Sequence, residues 1–200
     1  MKYRYLQPFV KTHKYLTNKH LLQRRVFLKK IMLLLETGCQ IIYVDESSFN
    51  TAKKCAKRWV KLNETKPLGF SGRISGVSLI LACGQSEVLK YTIREGSNTS
   101  EVIVEFLDFL IKELKINDYY KKLVRQNKIF IYLDNASIHT SYAVRRFIES
   151  SNMNFIFPPP YSPHFCMTEY VFSRLKKQFY SRLYSSKYLF CRIYKILGLI

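Results

Sequence analysis

Two apolar runs that each stop at an aspartate constrain this chain more than any other feature. Ile41, Ile42, Tyr43 and Val44 lead into Asp45, and residues 129–133 (Ile-Phe-Ile-Tyr-Leu) lead into Asp134. Continuous runs of this kind predict strands buried on both faces, which belong in a sheet covered by helices on either side. An α/β fold follows. In open α/β sheets ligands lie outside the carboxyl ends of the strands, so both aspartates are expected near one edge. A charge that breaks a buried strand must be paired or metal-bound; for each Asp alone, a turn residue or helix N-cap is the alternative. Alternation along the first strand sends Glu46 to the face opposite Asp45, which makes Asp45 the better ligand.

The rest of the chain alternates in the same style. Val26, Leu28 and residues 31–35 predict an amphipathic helix ending near Gly38. Residues 49–72 are polar, basic and loop-like, and include Trp59 and Pro67. Residues 74–82 and 88–93 flank a turn at Gly84-Gln85 and read as an antiparallel hairpin. Asn98 and Glu101 have capping-box spacing. Behind them Ile103, Phe106, Leu107, Leu110, Ile111 and Leu114 form the clearest helical stripe in the chain. A short helix over 141–151, a short strand over 155–157 and a rigid proline loop over 158–163 follow. The next helix carries Glu169, Phe172, Leu175 and Phe179, with Glu169 near its start, where a negative charge suits the dipole. Asp45, Asp134 and Glu169 together supply the hard oxygen ligands that two divalent cations need, with water and phosphate completing the shells. Such a pair of ions, about 3.5–4 Å apart, serves in-line phosphodiester displacement.

Charge narrows the partner. The 200 residues hold 33 Lys+Arg against 14 Asp+Glu, a formal net charge of +19. That exceeds what solubility requires and is best tolerated beside a polyanion. Residues 1–40 carry nine basic residues and one acid, 51–73 seven and one, and 170–200 seven and none. Interleaved Tyr and Trp add stacking surfaces to these phosphate contacts, as nucleic-acid binding demands. Trp59 itself reads either as a core anchor or as a contact to a second subunit. The five cysteines are odd in number and never spaced C-x-x-C, which argues against a disulfide framework or a zinc ribbon and fits a reducing compartment. The longest aliphatic run is 31–35, far short of the roughly 20 residues a membrane span needs. No membrane partner is expected, and no secretory signal stands out at the N-terminus.

Asp45-Glu46-Ser47-Ser48-Phe49 resembles the D-E-[ST]-x-F motif of mariner-type DDE transposases. Asp134-Asn135-Ala136-Ser137-Ile138-His139 is similar to their D-N-A-x-x-H, and Pro159-Pro160-Tyr161-Ser162-Pro163 with Glu169 to their P-x-Y-S-P-x-L-N-P-I-E. Arg174-Leu175-Lys176 continues this like their W-x-x-L-K, and Arg58-Trp59 with Pro67 looks like their basic R-x-W loop. Between Asp134 and Glu169 lie 34 residues, the D,D-34-E interval. The resemblance runs from about Ile41 to Tyr180.

It implies a ribonuclease-H-like fold: a central mixed five-stranded sheet, three strands antiparallel and two parallel, flanked by helices. The implied domain is 41–185, preceded by a basic linker-like segment over 1–40 and followed by a tail over 186–200. Catalysis and metal binding fall to Asp45, Asp134 and Glu169, with two Mg²⁺ or Mn²⁺ ions. The implied activity is metal-dependent DNA strand cleavage and strand transfer, on transposon ends and target DNA, in a homodimer and, in a eukaryote, in the nucleus. DNA contacts are expected from Lys53, Lys54, Lys57, Arg58, Lys61, Arg174, Lys176 and Lys177. His139 is expected near the site as a DNA-contacting or supporting group, with a purely structural histidine as the alternative. Two departures stand out. Phe165-Cys166-Met167-Thr168 replaces L-N-P-I, so the helix-starting proline is missing. Only 40 residues precede Ile41, too few for the two helix-turn-helix units of the family, so a truncated or domesticated copy is expected. A non-catalytic DNA-binding protein derived from a transposase is the alternative. A ribonuclease H acting on hybrids is a third reading, disfavoured by the D-N-A-x-x-H motif and the lack of extra carboxylates.

Overall fold

A computed structural model describes residues 17–49, 76–160 and 162–181. The first apolar run lies in strand β1 (Gln40–Phe49), at the centre of a sheet. β2 (Val77–Cys83) and β3 (Val88–Glu95) form the expected hairpin beside it, while β4 (Ile129–Leu133) and β5 (Asn154–Ile156) lie on its other side. The order is β3-β2-β1-β4-β5, with antiparallel pairing from β1 to β3 and parallel pairing from β1 through β4 to β5. This is the mixed five-stranded sheet the motifs implied.

Helices cover both faces, as the two-sided burial of β1, β2 and β4 requires. α2 (Ser100–Ile116) presses Ile103, Phe106, Leu107 and Leu110 onto Ile42, Val44, Ile80, Ala82 and Ile131, joined by Tyr120 of α3 (Asp118–Arg125) and Val144 of α4 (Tyr142–Ser150). Each such large apolar side chain contributes about 1.5–3 kcal/mol by leaving water. On the opposite face Phe172, Leu175 and Phe179 of α5 (Met167–Ser181) meet Phe49, Leu79 and Leu81. Phe27 of α1 (Asn18–Glu36) packs with Ile41, Tyr43, Tyr132 and Ile156. α1 ends as the sequence suggested. Gly38 takes φ +75°, and the amides of Gly38 and Cys39 bond back to Leu35 and Leu34, closing the helix with a left-handed residue that glycine adopts freely.

Three local expectations need correction. β1 does not stop at Asp45: it runs on to Phe49, because β2 pairs with it from Asp45↔Leu81 to Phe49↔Val77. A partner strand and the burial of Phe49 carry the backbone past the charge. The N-cap of α2 is Thr99, not Asn98. And α3 was not anticipated, since eight mostly polar residues show no apolar stripe; its signal is Asn117, whose side chain accepts from the amides of Tyr119 and Tyr120. The basic loop with Trp59, Lys53, Lys54, Lys57, Arg58 and Lys61 lies outside the described residues, as does the tail over 186–200.

β4 is the shorter of the two central parallel strands. Its last pair with β1 is Val44↔Leu133, so Asp45 and Asp134 follow side by side one residue beyond the parallel ladder. β1 then continues along β2, and the chain after Asp134 turns through a loop into α4. That mismatch in strand length creates the site.

Candidate active site beyond the parallel strands

Asp45, Asp134 and Glu169 line one cleft of about 490 Å³, together with Tyr132, Asn135, Pro158, Pro159, Pro160, Ser162 and Cys166. The two aspartates form its floor, and Glu169 comes from the exposed side of the first turn of α5. The loop over 158–160 makes a wall, fixed by Asn135 Nδ2 donating to the Pro158 carbonyl. Ser162 is held by Arg24 of α1, whose Nε donates to its Oγ at 3.1 Å. Arg24, from the expected linker segment, therefore braces the cleft.

Among the described residues, no three His, Cys, Asp or Glu side chains group closely enough to cage a metal ion. Magnesium-type sites do not require such a cage: one or two carboxylates suffice, with water and substrate phosphate completing the shell. The donors here are hard oxygens from neighbouring strands, with a third carboxylate on the facing wall, and this set fits Mg²⁺ or Mn²⁺. Burial pushes the Asp45 carboxyl up to about 7, and the nearby charges of Asp134 and Glu46 add to this against the Glu46 amide that Oδ1 accepts. A carboxylate so burdened gains from a cation beside it.

Asp134 is arranged differently. Its Oδ1 accepts from the Ala136 amide at 2.9 Å and from His139 Nδ1 at 2.6 Å. The bond from His139 holds the Asp134 carboxyl below its usual range, against the effect of burial. His139 is fully buried, and its Nε2 lies 2.7 Å from Glu46 Oε1. Two flanking carboxylates call for a proton on both ring nitrogens. Burial alone would lower the His139 pKa, but its bonds to Asp134 and Glu46 outweigh that and raise it to about 10. The expected DNA-contacting role of His139 is thereby corrected: a side chain with no exposed surface cannot touch a phosphate, and it supports Asp134 instead.

The sequence profile of DDE superfamily endonucleases matches residues 40–189. The chain belongs to that family. Its fold is that of the catalytic domain of Mos1 transposase, solved with raltegravir and Mn, at a TM-score of 0.65 and 20% identity over 92% of this chain and 82% of that one. A crystal structure of the catalytic domain of Mos1 mariner transposase gives 0.55 and 18% over 97% of this chain and 94% of that one. The pre-cleavage Mos1 transpososome gives 0.59 and 20% over 99% of this chain and 65% of that one. The chain thus spans just under two thirds of the protein in that assembly. These likenesses show a ribonuclease-H-like fold, shared with the Mos1 catalytic domain. No curated protein sequence matches the chain.

Within this DDE endonuclease domain, the segment that departs from the L-N-P-I pattern still starts a helix: α5 begins at Met167 without the proline. Thr168 is fully buried, and its hydroxyl donates to Asp45 Oδ2 at 3.3 Å while lying 2.7 Å from Cys166 Sγ. Burial pushes the Cys166 thiol up to about 11, so it stays a neutral neighbour. The Thr168–Asp45 contact was not foreseen, because 123 residues separate the partners; a polar residue directly before the acid was the available signal. Thr168→Val keeps the shape and removes the donor. It is expected to weaken Mn²⁺ binding, titrated calorimetrically, by roughly 2–10-fold, the worth of one modest hydrogen bond. Of the expected DNA contacts on α5, Arg174 and Lys177 are exposed and Lys176 is half-buried. Arg174 lines a second cavity of about 460 Å³ with Tyr170 and Met167, beside the β2–β3 turn.

Proposed function

We propose that this chain carries out metal-dependent DNA strand cleavage and strand transfer, as the catalytic domain of a mariner-type DDE transposase spanning about residues 41–185. The observation that carries this is the placement of Asp45 and Asp134 side by side past the last parallel pair, Val44↔Leu133, with Glu169 on the same cleft. Asp45, Asp134 and Glu169 would hold two Mg²⁺ or Mn²⁺ ions. When bound, such ions activate the attacking oxygen and stabilise the leaving oxygen of an in-line phosphodiester displacement.

The chain's own part is positioning. Thr168 and the Glu46 amide orient Asp45, His139 and the Ala136 amide orient Asp134, and the proline wall with Ser162 confines the scissile phosphate. Water attacks the phosphodiester in the first step, and the freed 3′-hydroxyl attacks target DNA in the second, so no covalent protein–DNA intermediate is needed. Lys53, Lys54, Lys57, Arg58, Lys61, Arg174, Lys176 and Lys177 bind the DNA backbone of transposon ends and target. A homodimer, acting in the nucleus of a eukaryotic cell, completes the reading.

The test is nicking of a supercoiled plasmid by the purified chain. Nicking is expected with Mg²⁺ or Mn²⁺, none with EDTA, and none with Glu169→Gln under either ion. A wild-type protein that neither nicks DNA nor binds a divalent ion by calorimetry sinks this reading, and the non-catalytic DNA-binding alternative then replaces it.

A further inference from the structure

Glu46 stands out because it is a fourth carboxylate at the site without lining the cleft. It points to the sheet face opposite Asp45, and its side chain is 17% exposed. Its reach to the site runs through His139. β1 continues to Phe49 while β4 stops at Leu133, so the edge of β1 beyond Asp45 has no parallel partner. The loop after Asp134 brings the buried His139 to that edge, between Glu46 and Asp134.

We propose that Glu46 is a positioning residue that acts through His139 to fix which oxygen of Asp134 is presented to the cleft. The functional half of this rests on the divalent-ion reading given above. An imidazole anchored at one nitrogen can turn about its side-chain bonds and lose its bond to the carboxylate. Anchored at Nδ1 by Asp134 and at Nε2 by Glu46, the ring has one placement, and the Asp134 Oδ1 bonded to it is committed. The carboxylate cannot then rotate, and Oδ2 remains as the ligand oxygen. Carboxylate–histidine–ligand relays of this kind orient metal ligands elsewhere, and breaking them typically costs about 10–100-fold in metal affinity or activity. The adjacent Asp45 and Glu46 thus serve one site from the two faces of one strand, Asp45 directly and Glu46 by way of the loop.

The test compares the full chain with Glu46→Ala and Glu46→Gln, the latter keeping an acceptor for Nε2–H. Two readouts are taken on protein whose fold is checked by circular dichroism and thermal melting. The first is metal-free: the downfield NMR resonance of the His139 Nδ1 proton bonded to Asp134. It is expected to broaden or vanish in Glu46→Ala, although Glu46 does not touch Nδ1, and to persist in Glu46→Gln. The second is calorimetric Mn²⁺ affinity, expected to fall about 10–100-fold in Glu46→Ala and to recover most of that loss in Glu46→Gln. An unchanged Nδ1 proton in a folded Glu46→Ala protein overturns the coupling whatever the metal result. An unchanged Mn²⁺ affinity in Glu46→Ala overturns its functional role. Wild-type protein blind to Mn²⁺ overturns that role through the metal reading itself, while the proton resonance still decides whether Glu46 positions Asp134. If Glu46→Ala does not fold, Glu46→Leu, which fills similar space without an acceptor for Nε2–H, takes its place and is read by the same two outcomes.

Discussion

Asp45→Asn is expected to abolish cleavage and, at the same time, to make the metal-free protein more stable. The loss of activity should be on the order of 10³-fold or more, because a ligand to ions that supply several kcal/mol of transition-state stabilisation is removed. The gain in stability comes from the environment of Asp45, a half-buried carboxylate with the charges of Asp134 and Glu46 nearby, raised to about 7 chiefly by desolvation. A carboxyl raised in the folded state favours its neutral form there. Its contribution to stability is complete below the unfolded value near 3.8 and is lost as pH rises through about 7. Asparagine stays neutral throughout. Thermal melts in EDTA should therefore match wild type near pH 4 and exceed it at pH 8, by about 1–3 kcal/mol once water penetration and relaxation are allowed for. Mg²⁺ should raise the melting temperature of wild type and leave Asp45→Asn unmoved. Equal stability of the two proteins at pH 8 in EDTA would show that Asp45 is not under electrostatic load. His139 acts in the same direction as Asp45: its contribution is complete below about 6.5 and is lost as pH rises through about 10. Asp134, whose carboxyl is lowered, contributes above the ordinary 3.8 and loses that contribution on acidification. The metal-free protein should thus be best protected by this site in mild acid.

DNA affinity is expected to collapse with salt. With on the order of 6–10 phosphates neutralised, binding should weaken about 10³–10⁵-fold between 50 and 200 mM salt. It should depend little on sequence, since phosphate contacts position a protein without reading bases. Replacing Lys53, Lys54, Lys57 and Arg58 together by Ala should reduce the slope of log affinity against log salt by roughly 3–4, near 0.9 for each phosphate left without its cation. All duplexes should weaken alike. Fluorescence anisotropy across a salt series measures both quantities. A short duplex that outcompetes scrambled DNA by orders of magnitude at physiological salt would reveal a base-reading element in these 200 residues and refute the backbone-only account.

The division of labour between ions and protein follows from these expectations. The aspartates are placed by strand geometry; the charge of Asp134 is supported by His139, whereas that of Asp45 is a liability to the folded chain that a cation would relieve. The side chains around them do not react; they limit the freedom of the carboxylates. In the proposed reaction the nucleophiles would be water and a DNA hydroxyl, which would leave orientation as the protein's own task.

The amino-acid sequence alone determined the cores of the strands, the main helix and which three acids are candidates for the site. Buried strands declare themselves through unbroken apolar runs, as at residues 41–44 and 129–133, and α2 through a stripe whose six apolar members are all buried. Both signals are local, so periodicity reaches them. The two aspartates were legible because each follows such a run, and Glu169 because it stands at motif spacing near the start of a helix. Tertiary structure decided everything that depends on where one strand stops relative to another. That β1 outruns β4 could not be read from either strand alone, yet it sets Asp45 beside Asp134 and leaves the edge of β1 open to His139. Alternation correctly sent Glu46 away from Asp45, but it gave no hint that a loop from 93 residues further along would carry it back to the site. Thr168 became a partner of Asp45 only when α5 docked against β1. Burial follows from composition and local period; hydrogen bonds between distant residues follow from the register of the whole sheet, which only the folded chain contains.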